Sequence, residues 1–135
     1  MASIGAVKLK IDVQGALANV DVTYDITFSA TDQKKKQVYE EECRLIGDDS
    51  HDPAPAGGDD TLGFVTPLFD KVTPGKTPTL ARHLTKSFRT GDLDEDQGSI
   101  PNPDEIRALV TLRPAAPATG KPVQRKSPVV KLKLG

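Results

Sequence analysis

The chain of 135 residues has few aromatic residues and no tryptophan. Aromatic residues make up 4% of the sequence, which argues against the stacking surfaces that bind single-stranded nucleic acid. The formal net charge is −1, so the chain as a whole does not attract polyanions. We therefore expect neither nucleic acid nor membrane to be a partner.

Cysteine and long apolar runs are also scarce. Cys43 is the only cysteine, which excludes an intramolecular disulfide and a multi-cysteine metal site. The first ten residues, MASIGAVKLK, lack the apolar core of a secretory signal, and no run approaches the roughly 18 apolar residues of a membrane span. The sequence therefore predicts a cytoplasmic location by default, with a virion as the alternative.

Catalytic signatures are missing as well. The sequence contains no GxSxG, HExxH or P-loop motif. Ser50, His51 and Asp52 are adjacent, and neighbouring side chains on an extended segment point apart, so they cannot form a triad. Cys43 lies on an apolar strand face, where burial keeps a thiol protonated. We expect a protein that is not an enzyme.

The sequence does contain strand patterns. Residues 20–29, VDVTYDITFS, alternate apolar and polar side chains without a break, as a half-buried antiparallel strand does. Residues 7–13 and 104–114 show the same alternation, and QGALAN after the first of them is a plausible turn. Residues 38–46 also alternate, except that Glu41 interrupts the apolar face, which predicts a bulge or an edge position.

Two further segments complete the predicted sheets. Residues 61–69 resume strand character, with Pro67 indicating an edge. Residues 77–91 favour a strand, and a short helix over 79–90 is the alternative. Short strands separated by Gly-, Pro- and Asp-rich loops predict an all-β fold, a single antiparallel β-sandwich of six to seven strands. In this outline the chain resembles the immunoglobulin and fibronectin type III folds, and the likeness is one of architecture only.

The C-terminal region separates from the predicted domain of residues 1–113. Residues 114–128 contain four prolines among alanine and basic residues, which predicts an extended tether. Residues 129–135 then form a last strand, with Val130, Leu132 and Leu134 on its apolar face. This strand pairs with its own sheet, which we favour, or it reaches a neighbouring subunit as an exchanged arm.

Charge is unevenly distributed among the predicted loops. If each connection reverses direction, loops 47–60 and 91–103 meet at an acidic end, and loops 30–37, 70–78 and 114–128 meet at a basic end. Complementary ends favour head-to-tail association. The residues that we expect to mediate interactions are Lys34, Lys35, Lys36, Arg125, Lys126, Val130, Leu132 and Leu134.

The acidic loops have a second interpretation as a calcium site. Calcium takes six to eight oxygen ligands, and carboxylates from neighbouring loops can supply them. The spacing does not match the EF-hand loop, and solvated acidic loops without a bound ion are common. The candidate calcium ligands are Asp48, Asp49, Asp52, Asp59, Asp60, Asp92, Asp94 and Asp96.

These features predict a structural or interaction protein. The first hypothesis is a β-sandwich subunit that associates with copies of itself or docks into a larger assembly, such as a virion, tail or sheath. The alternative is a calcium-dependent binding module that uses loops 47–60 and 91–103. No cofactor other than calcium is expected.

Overall fold

The computed structural model describes residues 2–47, 61–66, 70–93, 104–115 and 120–132. Within these ranges nearly all regular structure is strand, and every strand pair is antiparallel, which confirms the all-β prediction. The elements are β1 (Ser3–Ile4), β2 (Lys8–Gln14), β3 (Leu17–Thr27), α1 (Ala30–Lys35), β4 (Tyr39–Gly47), β5 (Thr61–Phe64), β6 (Asp70–Val72), β7 (Thr79–Arg89), α2 (Thr90–Leu93), β8 (Asp104–Pro114), β9 (Val123–Lys126) and β10 (Val130–Leu132).

The first sheet is built around β3. On one flank β3 pairs with β2 and β1, and on the other it pairs with β7 over eleven residue pairs. The predicted apolar face of residues 20–29 is buried throughout, from Val20 to Phe28. Within residues 77–91, for which a helix is the alternative prediction, Thr79–Arg89 form strand β7, and the short helix α2 begins at Thr90.

The second sheet is built around β4 and β8, which pair over nine residues. Short strands β5 and β6 lie on the outer flank of β4, and β9 and β10 lie on the outer flank of β8. The described residues thus form ten strands rather than six or seven, because short flanking strands of two to four residues are too brief to show a periodic pattern.

The two sheets share one hydrophobic core, in the sandwich-like arrangement that the sequence predicts. Tyr24 and Ile26 of the first sheet and Leu45, Ile106 and Val110 of the second belong to the same buried cluster. Along one side, β1 lies over β9, and β2 lies over β8 and β10. The apolar face of residues 7–13 is buried at Val7 but fades along β2, where Val13 is 42% exposed at the hairpin end.

Helix α1 lies in residues 30–37, which the sequence predicts to be a loop. Ser29 and Asp32 form a capping box, in which the Ser29 hydroxyl accepts from the Asp32 amide and the Asp32 carboxylate accepts from the Ser29 amide. Asp32 also accepts a 2.7 Å hydrogen bond from the Tyr39 hydroxyl. Burial alone would raise the pKa of Asp32, but these hydrogen bonds outweigh it and the pKa lies below its usual range.

The predicted tether of residues 114–128 is not a free spacer. Pro114 ends β8, and Val123–Lys126 form β9, which pairs with Leu109–Leu112 of β8. Ser127 continues the contact, because its amide donates to the Ala108 carbonyl at 2.9 Å. Within the segment 114–128 that the sequence predicts to be a tether, residues 123–126 are thus a strand of the second sheet.

Strand β10 pairs within its own chain. Val130, Lys131 and Leu132 lie opposite Ile106, Glu105 and Asp104 of β8. These pairings place both β9 and β10 in the second sheet. Leu134 lies outside the described residues.

Candidate functional site

The outer flank of β7 stands out when the long strands are compared. Strand β3 is flanked by β7 and, on its other side, by β1 and the seven-residue strand β2. Strand β4 is flanked by β8 and by β5 and β6, and β8 is flanked by β4 and by β9 and β10. Strand β7 pairs with β3 alone among the described residues, although it is eleven residues long. We call its outer flank the open edge.

The backbone groups at the open edge follow from the register. The Phe28 amide donates to the Pro78 carbonyl at 2.8 Å, and the Thr90 amide donates to the Ala16 carbonyl at 2.9 Å. Both bonds continue the register of the β3–β7 ladder, so the even-numbered residues of β7 form the hydrogen-bonded pairs with β3. The amide and carbonyl groups of Ala81, His83, Thr85 and Ser87 therefore point away from β3, toward the open edge.

The two faces of β7 differ in chemistry. Leu80 and Leu84 are half-buried and pack against the core, and Phe88 is buried. The opposite face is exposed and carries threonine, alanine, serine, His83 and Arg89. A strand laid along the open edge would extend the apolar row on one face and meet polar and basic groups on the other.

A buried ion pair holds β7 against the second sheet. Glu41 of β4 is fully buried and accepts from Arg82 twice, at 2.7 Å from Nη2 and 3.0 Å from Nε. The Tyr24 hydroxyl also donates to Glu41. Burial first, and then the Glu41 charge, raise the pKa of Tyr24, and the Glu41 hydrogen bonds raise the pKa of Arg82. Tyr24 therefore stays a neutral phenol and Arg82 stays a cation.

Glu41 is neither at a bulge nor at an edge, so that prediction is wrong. It lies in a central strand, opposite Leu112 of β8 and Asp70 of β6, and the register shift of β4 occurs instead between Leu45 and Ile46. Its carboxylate tolerates the core because Arg82 and Tyr24 satisfy it. In the sequence, the sign of this pair is that Arg82 lies between Leu80 and Leu84 on the apolar face of its strand.

Contacts of Lys86 and Phe88 hold the C-terminal end of β7 against β5. Lys86 Nζ donates to the Phe64 carbonyl at 2.8 Å and lies 5.3 Å from the centroid of the Phe88 ring. Gly63 leaves room for that ring, since a Cβ atom at this position would lie 2.5 Å from Phe88 Cε1. β7 is thus held by side chains, and within the described ranges no strand pairs with its backbone groups at the open edge.

A shallow depression lies on the solvent face of the first sheet. Two adjoining cavities of about 330 and 420 Å³ share Lys8, Thr23 and His83 in their linings. His83 is exposed, and its Nε2 lies 3.1 Å from Asp21 Oδ1. Lysine and aspartate side chains balance each other on this wide, open surface, so it lacks the enclosed apolar walls of a small-molecule site.

The predicted calcium ligands fall mostly outside the described residues. Asp92 belongs to α2, and the other seven lie in segments that are not described. Among the residues that the structure describes, no three His, Cys, Asp or Glu side chains gather as metal ligands would. The calcium site stays a prediction.

The predicted interaction residues are spread over two regions. Lys34 and Lys35 lie in α1 and Lys36 at its C-cap, near the start of β4. Arg125 and Lys126 lie in β9 opposite Val110 and Leu109. The Phe28–Pro78 bond joins the residues just before loop 30–37 to the end of loop 70–78. Arg125 lies along the sheet, where its Nη1 donates to the Ile4 carbonyl at 3.0 Å.

Cys43 lies in the core, as predicted. It is fully buried in β4, and burial, with smaller effects of Glu41 and Glu42, raises the pKa of its thiol to about 12. No helix in the described parts of the chain is long and apolar enough to cross a membrane.

Comparison with known proteins gives no relative. No protein-family model, curated protein or solved structure matches this chain. The function must therefore be argued from the geometry of the chain itself.

Proposed function

We propose that the protein is a non-enzymatic interaction module that docks into a larger assembly by accepting a strand of a partner protein along β7. The observation that carries the proposal is the open edge: of the three described strands of eleven residues, β7 is the one that has a strand on only one flank. Strand addition supplies main-chain hydrogen bonds for affinity and alternating side-chain contacts for specificity.

The open edge also lacks three of the usual devices that prevent pairing. Natural edge strands are kept short, bulged or interrupted by proline. β7 has eleven residues, no proline, and no register shift against β3. Its lysine and arginines discourage indiscriminate pairing, which leaves selection to a partner whose side chains suit them.

A second copy of the chain is a poor occupant of this edge. The only two-fold antiparallel arrangement that pairs all eleven residues of β7 with themselves is centred on Leu84. It places Arg82 of each copy opposite Lys86 of the other, so each Lys86 would face a basic residue that is already paired with Glu41 and would gain no acidic partner. We therefore propose a different protein of the assembly as the partner.

The test uses a peptide with the sequence of β3, LANVDVTYDIT, because this strand already pairs with the inner flank of β7. We expect the peptide to slow amide exchange at Ala81, His83, Thr85 and Ser87 in the full chain by about tenfold or more, because these amides would gain partners. The measurement is amide exchange by NMR, at a concentration where the peptide alone is monomeric.

Thr85→Pro and Thr85→Val form a matched pair for this test. Thr85→Pro removes an amide that points to the open edge without removing a bond to β3, and it should abolish the protection. Thr85→Val keeps the amide and should bind as the natural chain does. Equal binding by the two variants, or no protection from the peptide in the natural chain, would overturn strand addition; unchanged melting of both variants shows that they are folded.

A further inference from the structure

We infer that the strand that β7 accepts is acidic, with aspartate or glutamate alternating with apolar residues. This inference rests on the proposed function and names the chemistry of the partner. Its first support is composition: β7 carries Arg82, Lys86, Arg89 and His83 and no acidic residue, in a chain whose formal net charge is −1. The strand at the open edge is therefore basic, although the protein as a whole is nearly neutral.

The basic charge that is available to a partner is smaller than the sequence suggests. Arg82 is neutralised by Glu41 inside the sandwich. Lys86 and Arg89 are exposed, and Lys86 bonds a neutral carbonyl, that of Phe64. These two residues therefore carry most of the charge at the open edge, toward the end of β7 that leads into α2.

The inner neighbour of β7 shows what kind of strand suits it. β3 alternates apolar residues with polar ones and includes Asp21 and Asp25 but no basic residue. His83 contacts Asp21 across this ladder, with Nε2 3.1 Å from Oδ1. Side chains on one face of a strand contact both neighbouring strands, so the rows that accept β3 on one flank are presented to an added strand on the other.

The two faces of β7 assign positions on the partner. Leu80 and Leu84 lie on the apolar face and would be covered by apolar side chains of the added strand. Lys86 follows on the same face, while His83 and Arg89 lie on the exposed face. Acidic residues on the exposed face of the added strand, near His83 and Arg89, would complete the charge pairing, which fixes the register as well as the partner.

The test compares three peptides on the full chain by fluorescence anisotropy. They are the β3 sequence, the same peptide with both aspartates replaced by asparagine, and the same peptide with both replaced by lysine. We expect the affinity to fall in that order, with a difference of about tenfold between the first and the last at low salt, and to converge at high salt as the charges are screened.

Charge-reversal variants of the chain provide the controls. Lys86→Glu together with Arg89→Glu should reverse the order of the peptides. Lys8→Glu together with Lys10→Glu changes the same charge on β2, at the other edge of the first sheet, and should leave the order unchanged.

The outcomes separate the two proposals. If all three peptides protect the amides of the open edge with equal affinity, the partner is not acidic but strand addition stands. If none of them does, strand addition fails and the inference fails with it. An eleven-nucleotide oligothymidine that binds the open edge more tightly than the acidic peptide would show a basic surface for nucleic acid and overturn the inference; we expect no binding.

Discussion

Strands β7 and β8 are both eleven residues long, but among the described residues β8 is paired on both flanks and β7 on one. The flank of β8 is closed by the C-terminal segment, in which β9, Ser127 and β10 follow one another along the strand. Among the described residues no strand pairs with the second flank of β7; its Arg82 and Lys86 side chains instead bond Glu41 of β4 and the Phe64 carbonyl of β5 in the second sheet. Side chains can hold a strand in place without using its backbone, and this is what leaves an edge available for binding.

Amide exchange in the free protein is the strongest test of this comparison. On β7 we expect alternation: Ala81, His83 and Thr85 exchange at least about 100-fold faster than Leu84 and Lys86, because only the even-numbered amides bond to β3.

On β8, residues Leu109–Leu112 should show no such alternation, since β4 and β9 bond to both flanks. Amide exchange followed by NMR gives both patterns in one experiment. Uniform protection along β7 would mean that its outer flank is already covered, and the proposed binding edge would be lost.

The sequence predicts where the long strands lie better than it predicts which strands pair with each other. Residues 20–29 and 104–114 alternate cleanly because one face of each strand is buried along its whole length, and the structure confirms both. Which strands pair with each other leaves no such pattern in the sequence. β9 is four residues long and follows prolines, so its composition favours a tether.

The candidate site shows the same limit. The composition of β7 is visible in the sequence, but its open edge is a property of the sheet order, which depends on pairings between residues far apart in the chain. Glu41 interrupted an apolar face, and a bulge was the simplest local explanation. Its partner Arg82 lies in a different sheet, and only the packing of the two sheets brings the charges together.

The contact between Glu41 and Arg82 offers the next largest effect. Glu41→Gln removes the charge that compensates Arg82 in a buried site, and we expect a loss of about 3 kcal/mol in the free energy of unfolding. Glu40→Gln is the control: its partner Arg113 lies 2.7 Å away, but this pair is partly exposed, and the loss should be about 0.5 kcal/mol.

Chemical denaturation of both variants measures the difference. Glu41→Leu combined with Arg82→Leu should lose less stability than Glu41→Gln alone, because no unpaired charge remains. Equal losses for Glu41→Gln and Glu40→Gln would show that the buried pair does not hold β7 to the second sheet.

The covered flank of β8 gives the smallest expected effect. Ser127 is 1% exposed, and its hydroxyl accepts from the Ala108 amide at 2.8 Å and donates to the Pro128 carbonyl at 3.0 Å. Ser127→Ala leaves the buried Ala108 amide without this acceptor, and we expect a loss of about 2 kcal/mol in the free energy of unfolding.

Ser87→Ala on β7 is the matched control for Ser127→Ala. The Ser87 hydroxyl donates to Asn19 Oδ1 at 2.7 Å on the exposed face, where water replaces the lost partner, so the loss should stay within about 0.5 kcal/mol. The same denaturation measurement compares the two serines. A loss for Ser127→Ala as small as that for Ser87→Ala would mean that the C-terminal segment covers β8 only loosely, and β8 would then count as a second edge open to partners.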